Sequence, residues 1–428
     1  MRAWSLVGRR VGAMLLWLAV PATAAAQTPA APAARVSMAD AVRLALEHNH
    51  QLASQRLNVD ISRADEITAA LKPNPVFSSV NSSFPVFSPS QLTLDNAAHN
   101  QNYVESLSYL FERGGKREKR TLVARDTTDV VAKTAVDAER QLIFQTQQAF
   151  INVLLAKSTL DLAREDLKNF SDVVELNRQR MIAGDLAEAE FAKISLQKLQ
   201  FEQDASSSEV ALLQAKAALR LNVGFEAVAD DFDVEGDLAY AKSPIALDDL
   251  KREALTTRPD LLAAQRTLKL MQDTQALAYA NRARNLTGEV EYDRAGDFNA
   301  LGFGVSIELP FHDRNQGNIA HSQSAVRQAI ESEIQTRTSV LTDVVSAYAA
   351  FQTNEKLVAL YQSGYLDQAR QSLETTQYVF QRGSGSLLDL LDAERTYRAT
   401  ELAFRQALAA YMTSAQQINF AVGKQVVQ

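Results

Sequence analysis

The chain has 428 residues, 46% of them hydrophobic and 22% charged, with 51 acidic side chains against 44 basic ones and no cysteine. That composition fits one large folded domain or two to three ordinary ones, and excludes a disordered or collagen-like chain. Without cysteine there is no disulfide framework, thiolate metal site, catalytic thiol or lipid anchor on an N-terminal cysteine. The acidic excess also makes a nucleic-acid partner a poor fit.

Residues 1–26 read as an export signal. Arg2, Arg9 and Arg10 precede a short apolar core, Val11–Val20, and Ala24-Ala25-Ala26 supplies small residues for cleavage before Gln27. That core is too short to cross a bilayer, which takes about 20 residues. No later stretch is apolar for long enough either, so any membrane crossing must be made by a β-barrel.

The remainder reads as two repeats offset by about 200 residues, 27–224 and 247–428, joined by a short acidic irregular segment at 225–246. Three landmarks recur in order. Met38–Arg56 matches Leu247–Arg266, Met181–Gly184 matches Phe380–Gly383, and Leu219–Gly224 matches Ile418–Gly423. The pattern predicts helices over 37–72, 116–182 and 187–222 in the first repeat, and over 247–283, 318–381 and 387–422 in the second. A helix over 116–182 would be about 100 Å long, more than a globular domain accommodates. Its length matches two shorter helices laid end to end, which suggests a bundle in which each long helix lies beside two stacked shorter ones. Leu142, Phe144, Ala149, Phe150, Val153 and Leu154 supply an apolar stripe for it.

Strands are expected over 75–87, 103–111, 285–294 and 300–310. Leu301, Phe303, Val305, Ile307 and Leu309 alternate with Gly302, Gly304, Ser306 and Glu308. Leu286, Gly288, Val290 and Tyr292 alternate with Thr287, Glu289, Glu291 and Asp293. In a membrane barrel the apolar set faces lipid and the polar set a watery lumen. The first strand is less regular, with Val76, Val80 and Phe84 diluted by serines and Asn81, and with Pro85 and Pro89 suited to a strand end. Four strands cannot close a barrel, since membrane barrels start at about eight. Two copies would give an interior filled by side chains. Three copies would enclose a pore, so the expected fold is mainly α with a small β part: a homotrimer sharing a 12-stranded transmembrane barrel.

The export signal, the twofold repeat and the helix–hairpin–long-helix order together resemble the TolC family of outer-membrane factors, over essentially the whole mature chain. Pro73-Asn74-Pro75, Gly114-Gly115-Lys116-Arg117, Leu309-Pro310-Phe311 and Asp313-Arg314-Asn315-Gln316-Gly317 resemble the heavy-metal branch, which serves cobalt–zinc–cadmium pumps of the RND class. The resemblance implies a passive trimeric duct in the outer membrane of a Gram-negative cell, with a long periplasmic α-helical barrel. Its partners would be a periplasmic adaptor (membrane-fusion) protein, an inner-membrane RND transporter and outer-membrane lipid. Its cargo would be divalent heavy-metal cations. The same architecture exporting drugs or other small molecules is the alternative. A soluble periplasmic coiled-coil adaptor or scaffold is an alternative of another class, and the alternation in the last two strands speaks against it.

The helical turns are the expected working parts. By resemblance the adaptor docks on Gly184, Leu186, Gly383 and Ser386. Asp389 and Asp392, three residues apart on one helix face, would form an acidic ring at the narrow end of a trimer and favour cations. The resemblance places paired aspartates there too, and Glu190 holds the equivalent offset from Gly184. Glu289, Glu291, Asp293 and Glu308 are the expected lumenal acids. Where the family often carries a basic residue that locks the entrance, this chain has Gly385, with Arg382 the nearest substitute. No catalytic constellation, cofactor motif or resident metal site is expected: His48, His50, His99, His312 and His321 are scattered, and no phosphate loop or nucleophile elbow is present.

Overall fold

The computed structural model describes residues 35–82, 87–91, 93–99 and 102–427. The export segment 1–26, and Phe84 and Pro85 of the first strand, lie outside these. The elements in chain order are β1 (Arg35–Val36), α1 (Met38–His48), α2 (His50–Ala70), β2 (Val76–Ser82), α3 (Leu94–His99), β3 (Asn102–Phe111), α4 (Lys116–Ala183) and α5 (Glu188–Val223). They continue with β4 (Asp233–Val234), α6 (Leu247–Thr257), α7 (Pro259–Ala280), β5 (Leu286–Ala295), β6 (Phe298–Ile307), α8 (Gln316–Leu360), α9 (Leu366–Gln381) and α10 (Leu387–Val422). The fold is mainly helical with a small sheet, as the sequence predicts. α4 alone runs 68 residues, about 100 Å.

Three predicted helices are interrupted, each for a local reason. The helix expected over 37–72 breaks at Asn49, an extended residue whose Oδ1 accepts from Leu52 N and so caps α2. The helix expected over 247–283 breaks at the equivalent Arg258, because Pro259 opens α7 and proline disfavours helical backbone in the residue before it. The helix expected over 318–381 is split by a π-turn, Tyr361–Tyr365, where Gly364 sits at φ 124°. The linker is not wholly irregular either: β4 pairs in parallel with β1, closing the start of the chain onto the junction between repeats.

The two breaks fold against the same feature in each half. The glycine ending α5, Gly224, lies so close to His48 that an added Cβ would come within 3.0 Å of its Cβ, and Gly423 after α10 abuts Thr257 and Arg258 in the same way. Asn49 Nδ2 donates to Asn222 O at 3.0 Å, while Thr257 Oγ1 and Arg258 Nη1 donate to Val422 O and Ala421 O. Two apolar cores form around these junctions. One gathers Leu44, Phe150, Val153, Leu219 and Val223, the other Leu250, Val344, Phe351, Tyr411 and Ile418.

α4 packs on α2 and α7 along its first half and on α5 and α10 along its second; α8 packs on α7 and α10. The helices thus form an open curved layer edged by α2 and α5 on one side and by α8 and α9 on the other. Those edges leave large apolar side chains in the open, among them Ile61 and Ile67 on α2, Leu196 and Leu213 on α5, and Ile330 and Ile334 on α8.

Candidate functional site: an acid-faced sheet and two helical tips

The four longer strands form one antiparallel sheet in the order β2-β3-β5-β6, so the two hairpins join through β3 and β5. Among the described residues both outer edges, β2 and β6, lack a strand neighbour. Register sets the faces. Phe77, Leu107, Val290 and Phe303 lie in one row, and Tyr292 with Leu301, Gly288 with Val305 and Leu286 with Ile307 continue the same face. Its side chains stand exposed: Leu301 at 69%, Phe303 at 82% and Val305 at 74%. The first strand differs from the sequence reading. Val76 and Val80 fall on the opposite, polar face beside Ser108 and Val104, and the apolar contribution of β2 is Phe77. A period of two with both sets mixed could not show this; the pairing partners decide it.

On the polar face Glu289, Glu291 and Asp293 climb β5 at every second position, opposite Gly304, Gly302 and Ala300 on β6 and Ser108, Ser106 and Val104 on β3. Small neighbours leave these carboxylates room. Glu308 lies past the end of β6 and is paired with Arg284 at 3.0 Å, so its charge is compensated where the other three form a ladder. Among the described residues no group of three or more His, Asp or Glu side chains is placed to hold a metal ion.

The motifs at the helix end of the sheet are corners. Gly115 (φ 69°) and Asn315 (φ 62°) are left-handed N-caps that turn a strand into α4 and α8. Asn315 tolerates the conformation while its Nδ2 donates to Ala278 O and its backbone N donates to Asp313 Oδ1. Lys116 Nζ reaches Asn285 Oδ1 at 2.7 Å. Arg120 donates to Ala69 O, Leu71 O and Glu112, tying the end of α2 to the corner and holding the Glu112 carboxyl below its ordinary range through that hydrogen bond.

At the far end α4 turns into α5 through Gly184 (φ 87°), and α9 into α10 through Gly383 (φ 78°). Glu190 and Asp389 are both the third residue of their helices, and Ser386 Oγ caps α10 by accepting from Asp389 N at 3.1 Å. Glu190, Asp389 and Asp392 are all exposed. They lie on the solvent side of their helices, away from Leu387, Leu390 and Leu391, which pack inward with Phe170, Phe201 and Phe380. Leu186 joins that core, so it braces the turn, whereas Gly184, Gly383 and Ser386 are exposed. The apolar groups the tips present outward are Ile182, Tyr378 and Leu388, the last at 75% exposure. Gly385 carries no side chain because a Cβ there would meet the Phe380 backbone at 3.0 Å. A basic side chain has no room at that position. Instead Arg180 ties the tips together, donating to Gln381 O at 2.7 Å and lying over the Phe380 ring.

One cluster escaped the sequence reading. Asp166 sits between Leu162 and Phe170 on the packed face of α4, and Glu394 lies one turn past Leu390 on the packed face of α10. An acid at a core position of an otherwise apolar stripe is the signal that could have found them.

An open barrel-type sheet joined to paired helical hairpins is a TolC-like channel fold. Residues 250–424, most of the second repeat, match the family model described as Outer membrane efflux protein. Over 404 residues it is 24% identical to the Cobalt-zinc-cadmium resistance protein CzcC of Cupriavidus metallidurans, covering 92% of each chain. Its fold superposes on the crystal structure of CusC with a TM-score of 0.74 at 19% identity (90% and 92% of the two chains). With the Campylobacter jejuni CmeC outer membrane channel the TM-score is 0.77 at 15% identity (91% and 87%).

Proposed function

We propose that three copies of this chain assemble as the outer-membrane exit duct of a tripartite efflux pump of the RND class and pass divalent heavy-metal cations. The observation that carries this reading is the four-stranded sheet with two unpaired edges and an exposed apolar face. Unpaired strand edges are not tolerated in hydrocarbon, so β6 of one copy pairs with β2 of the next until twelve strands close. The apolar edges of the helical layer meet in the same contacts, α8 and α9 of one copy against α2 and α5 of its neighbour. The chain then divides into an export segment (1–26), two structural repeats (27–224 and 247–428) and a linker (225–246).

Within such a duct the ladder of Glu289, Glu291 and Asp293 lines the barrel three times over, with Glu308 at its inner end. Asp389, Asp392 and Glu190 ring the periplasmic entrance, concentrating cations where the lumen is narrowest. The adaptor seats on Gly184, Gly383 and Ser386, gripping Ile182, Tyr378 and Leu388, with Leu186 supporting the turn beneath. The domain match and the 24% identity to a cobalt-zinc-cadmium resistance protein support outer-membrane efflux and the cation cargo. The duct itself contributes no chemistry; the inner-membrane transporter supplies the energy.

The test has three arms. The detergent-solubilised protein should have the mass of three mature chains; a soluble, folded monomer in the absence of detergent would overturn the assembly. In planar bilayers, Asp389→Asn with Asp392→Asn should reduce cation preference, and unchanged ion selectivity would remove the entrance ring from the reading. Deletion of the gene should sensitise its host to zinc, cobalt or cadmium; sensitivity confined to dyes would move the cargo to organic molecules.

A further inference from the structure

Beneath the tips, α4, α5, α9 and α10 enclose a cavity of about 40 Å³, lined by Asp166 and Asn169 from α4, Phe201 from α5, Gln377 from α9, and Glu394 and Tyr397 from α10. The space is large enough only for water. Asp166 and Glu394 come together here across the α4–α10 interface, which joins the first-repeat hairpin to the second. Asp166 Oδ2 is buried without a hydrogen-bond partner, a costly state for an ionised carboxylate.

The charged groups packed around the pair do not neutralise it. From α4, Glu165 adds a further negative charge. From α5, Asp204 holds Arg398 of α10 at 2.6 Å. From α9, Arg370 lies 3.6 Å from Glu401. From α10 itself, Glu401 accepts from the Tyr397 hydroxyl at 3.1 Å, and Arg405 donates to Ser158 O and Oγ at 2.7 Å. Each arginine is already committed, and the carboxylates outnumber them. Burial pushes the Asp166 carboxyl up to about 6, and burial together with the Asp166 charge pushes Glu394 up to about 7, with Arg398 opposing both.

The second-repeat hairpin also has a place to bend. The π-turn Tyr361–Tyr365 separates α8 from α9, and an added Cβ at Gly364 would meet nothing within 4 Å. Backbone conformation alone therefore demands glycine there. π-turns of this kind recur at functional sites.

We propose that Asp166 and Glu394 form a proton-sensitive latch: protonated, they let α10 lie against α4, and ionised, they drive the second-repeat hairpin away from the first about the bend at Gly364. The device sets the spacing of the two tips within each copy. It would operate whether or not those tips are the entrance of a metal duct.

Because the chain has no cysteine, spin labels can be placed at Asp185→Cys and Ser384→Cys on the two tips and their separation measured by pulsed electron resonance. The full-length protein in detergent, diluted with unlabelled chain, should show tip distances that lengthen between about pH 5 and pH 8.5, with a midpoint between the two raised carboxyl values. Asp166→Asn with Glu394→Gln should keep the short distance throughout. Glu394→Gln alone, the milder variant, should move the midpoint down to the Asp166 value of about 6, because the carboxyl that titrates higher is gone. Distances that ignore pH in the parent protein, or an unaltered transition in either neutral variant, would overturn the latch.

Discussion

The sheet and the helical junctions within the repeats are built from one chain but solve opposite problems. At the junctions the chain is self-sufficient. Asn49 caps its own break, each terminal glycine abuts the other element, and the Arg258 side chain, only 4% exposed, donates to Asp260, Asp343 and Ala421 O. The sheet has no core of its own. One face offers large apolar groups to the outside, the other a line of carboxylates, and both edges await a partner. Where a chain buries its polar groups against itself, its stability is intramolecular. Where it exposes apolar rows at sheet spacing, the proposed missing half is lipid and other copies.

The sharpest way to break this contrast is at Arg258. Arg258→Met removes the buried cation of an ion network and leaves Asp260 only Arg140, 4.0 Å away, and should cost about 3–5 kcal/mol; a thermal melt of the helical signal reads the loss, while the strands should still pair. Next comes the sheet. Phe303→Arg places a charge on the apolar face and should cost about 2–4 kcal/mol in lipid, reducing assembly and outer-membrane yield. Ser306→Arg, on the polar face of the same strand, should change assembly little, and equal losses in both variants would contradict the assignment of faces. Asn49→Ala tests whether the two junctions are equivalent. It removes a neutral helix cap and should cost about 1 kcal/mol, well short of Arg258→Met.

The smallest expected effect is in pH, and its sign separates two helical regions. At the junction, burial favours a protonated Asp260, but the hydrogen bonds and charge of Arg258, with Arg140, outweigh it and hold the carboxyl low. Its contribution is present above the unfolded carboxylate value of about 3.9 and is lost as pH falls through the lower folded value. Near the tips the direction reverses. Asp166 and Glu394 are raised in the folded state, so stability there is greatest at low pH and declines as pH climbs from about 4 through the folded values near 6 and 7. Hydrogen exchange should therefore show α9 and α10 loosening between pH 5 and pH 8 while α6 and α7 stay protected.

Much of the architecture was legible in the residues. Alternation at Leu301–Leu309 placed β6 and its faces, the glycines at 184 and 383 placed the tips, and the recurrence of Leu219–Gly224 at Ile418–Gly423 placed the ends of α5 and α10. Pro259 announced the break before α7, although the helical pattern running through it masked the signal. The bend at Gly364 was hidden for a related reason: one glycine in a long amphipathic run is tolerated as readily as it is used. Of the site residues, the sequence could name the acids on β5 and beyond Gly383 because their spacing alone puts them on one face. It could not tell that Glu308 is paired, that Leu186 points inward, or that position 385 has no room for a side chain.

Sequence by itself determined much that depends on period and local backbone chemistry: the long helices, the faces of β5 and β6, and the left-handed turns at Gly184 and Gly383. These are set within a few residues, by side-chain spacing and by glycine, asparagine and proline. Tertiary structure alone decided which acids meet which bases across helices far apart in the chain. It placed Val76 on the polar face, committed Arg398 to Asp204, and left Asp166 beside Glu394 with no direct ion pair among the described residues, because those outcomes rest on three-dimensional pairing and desolvation.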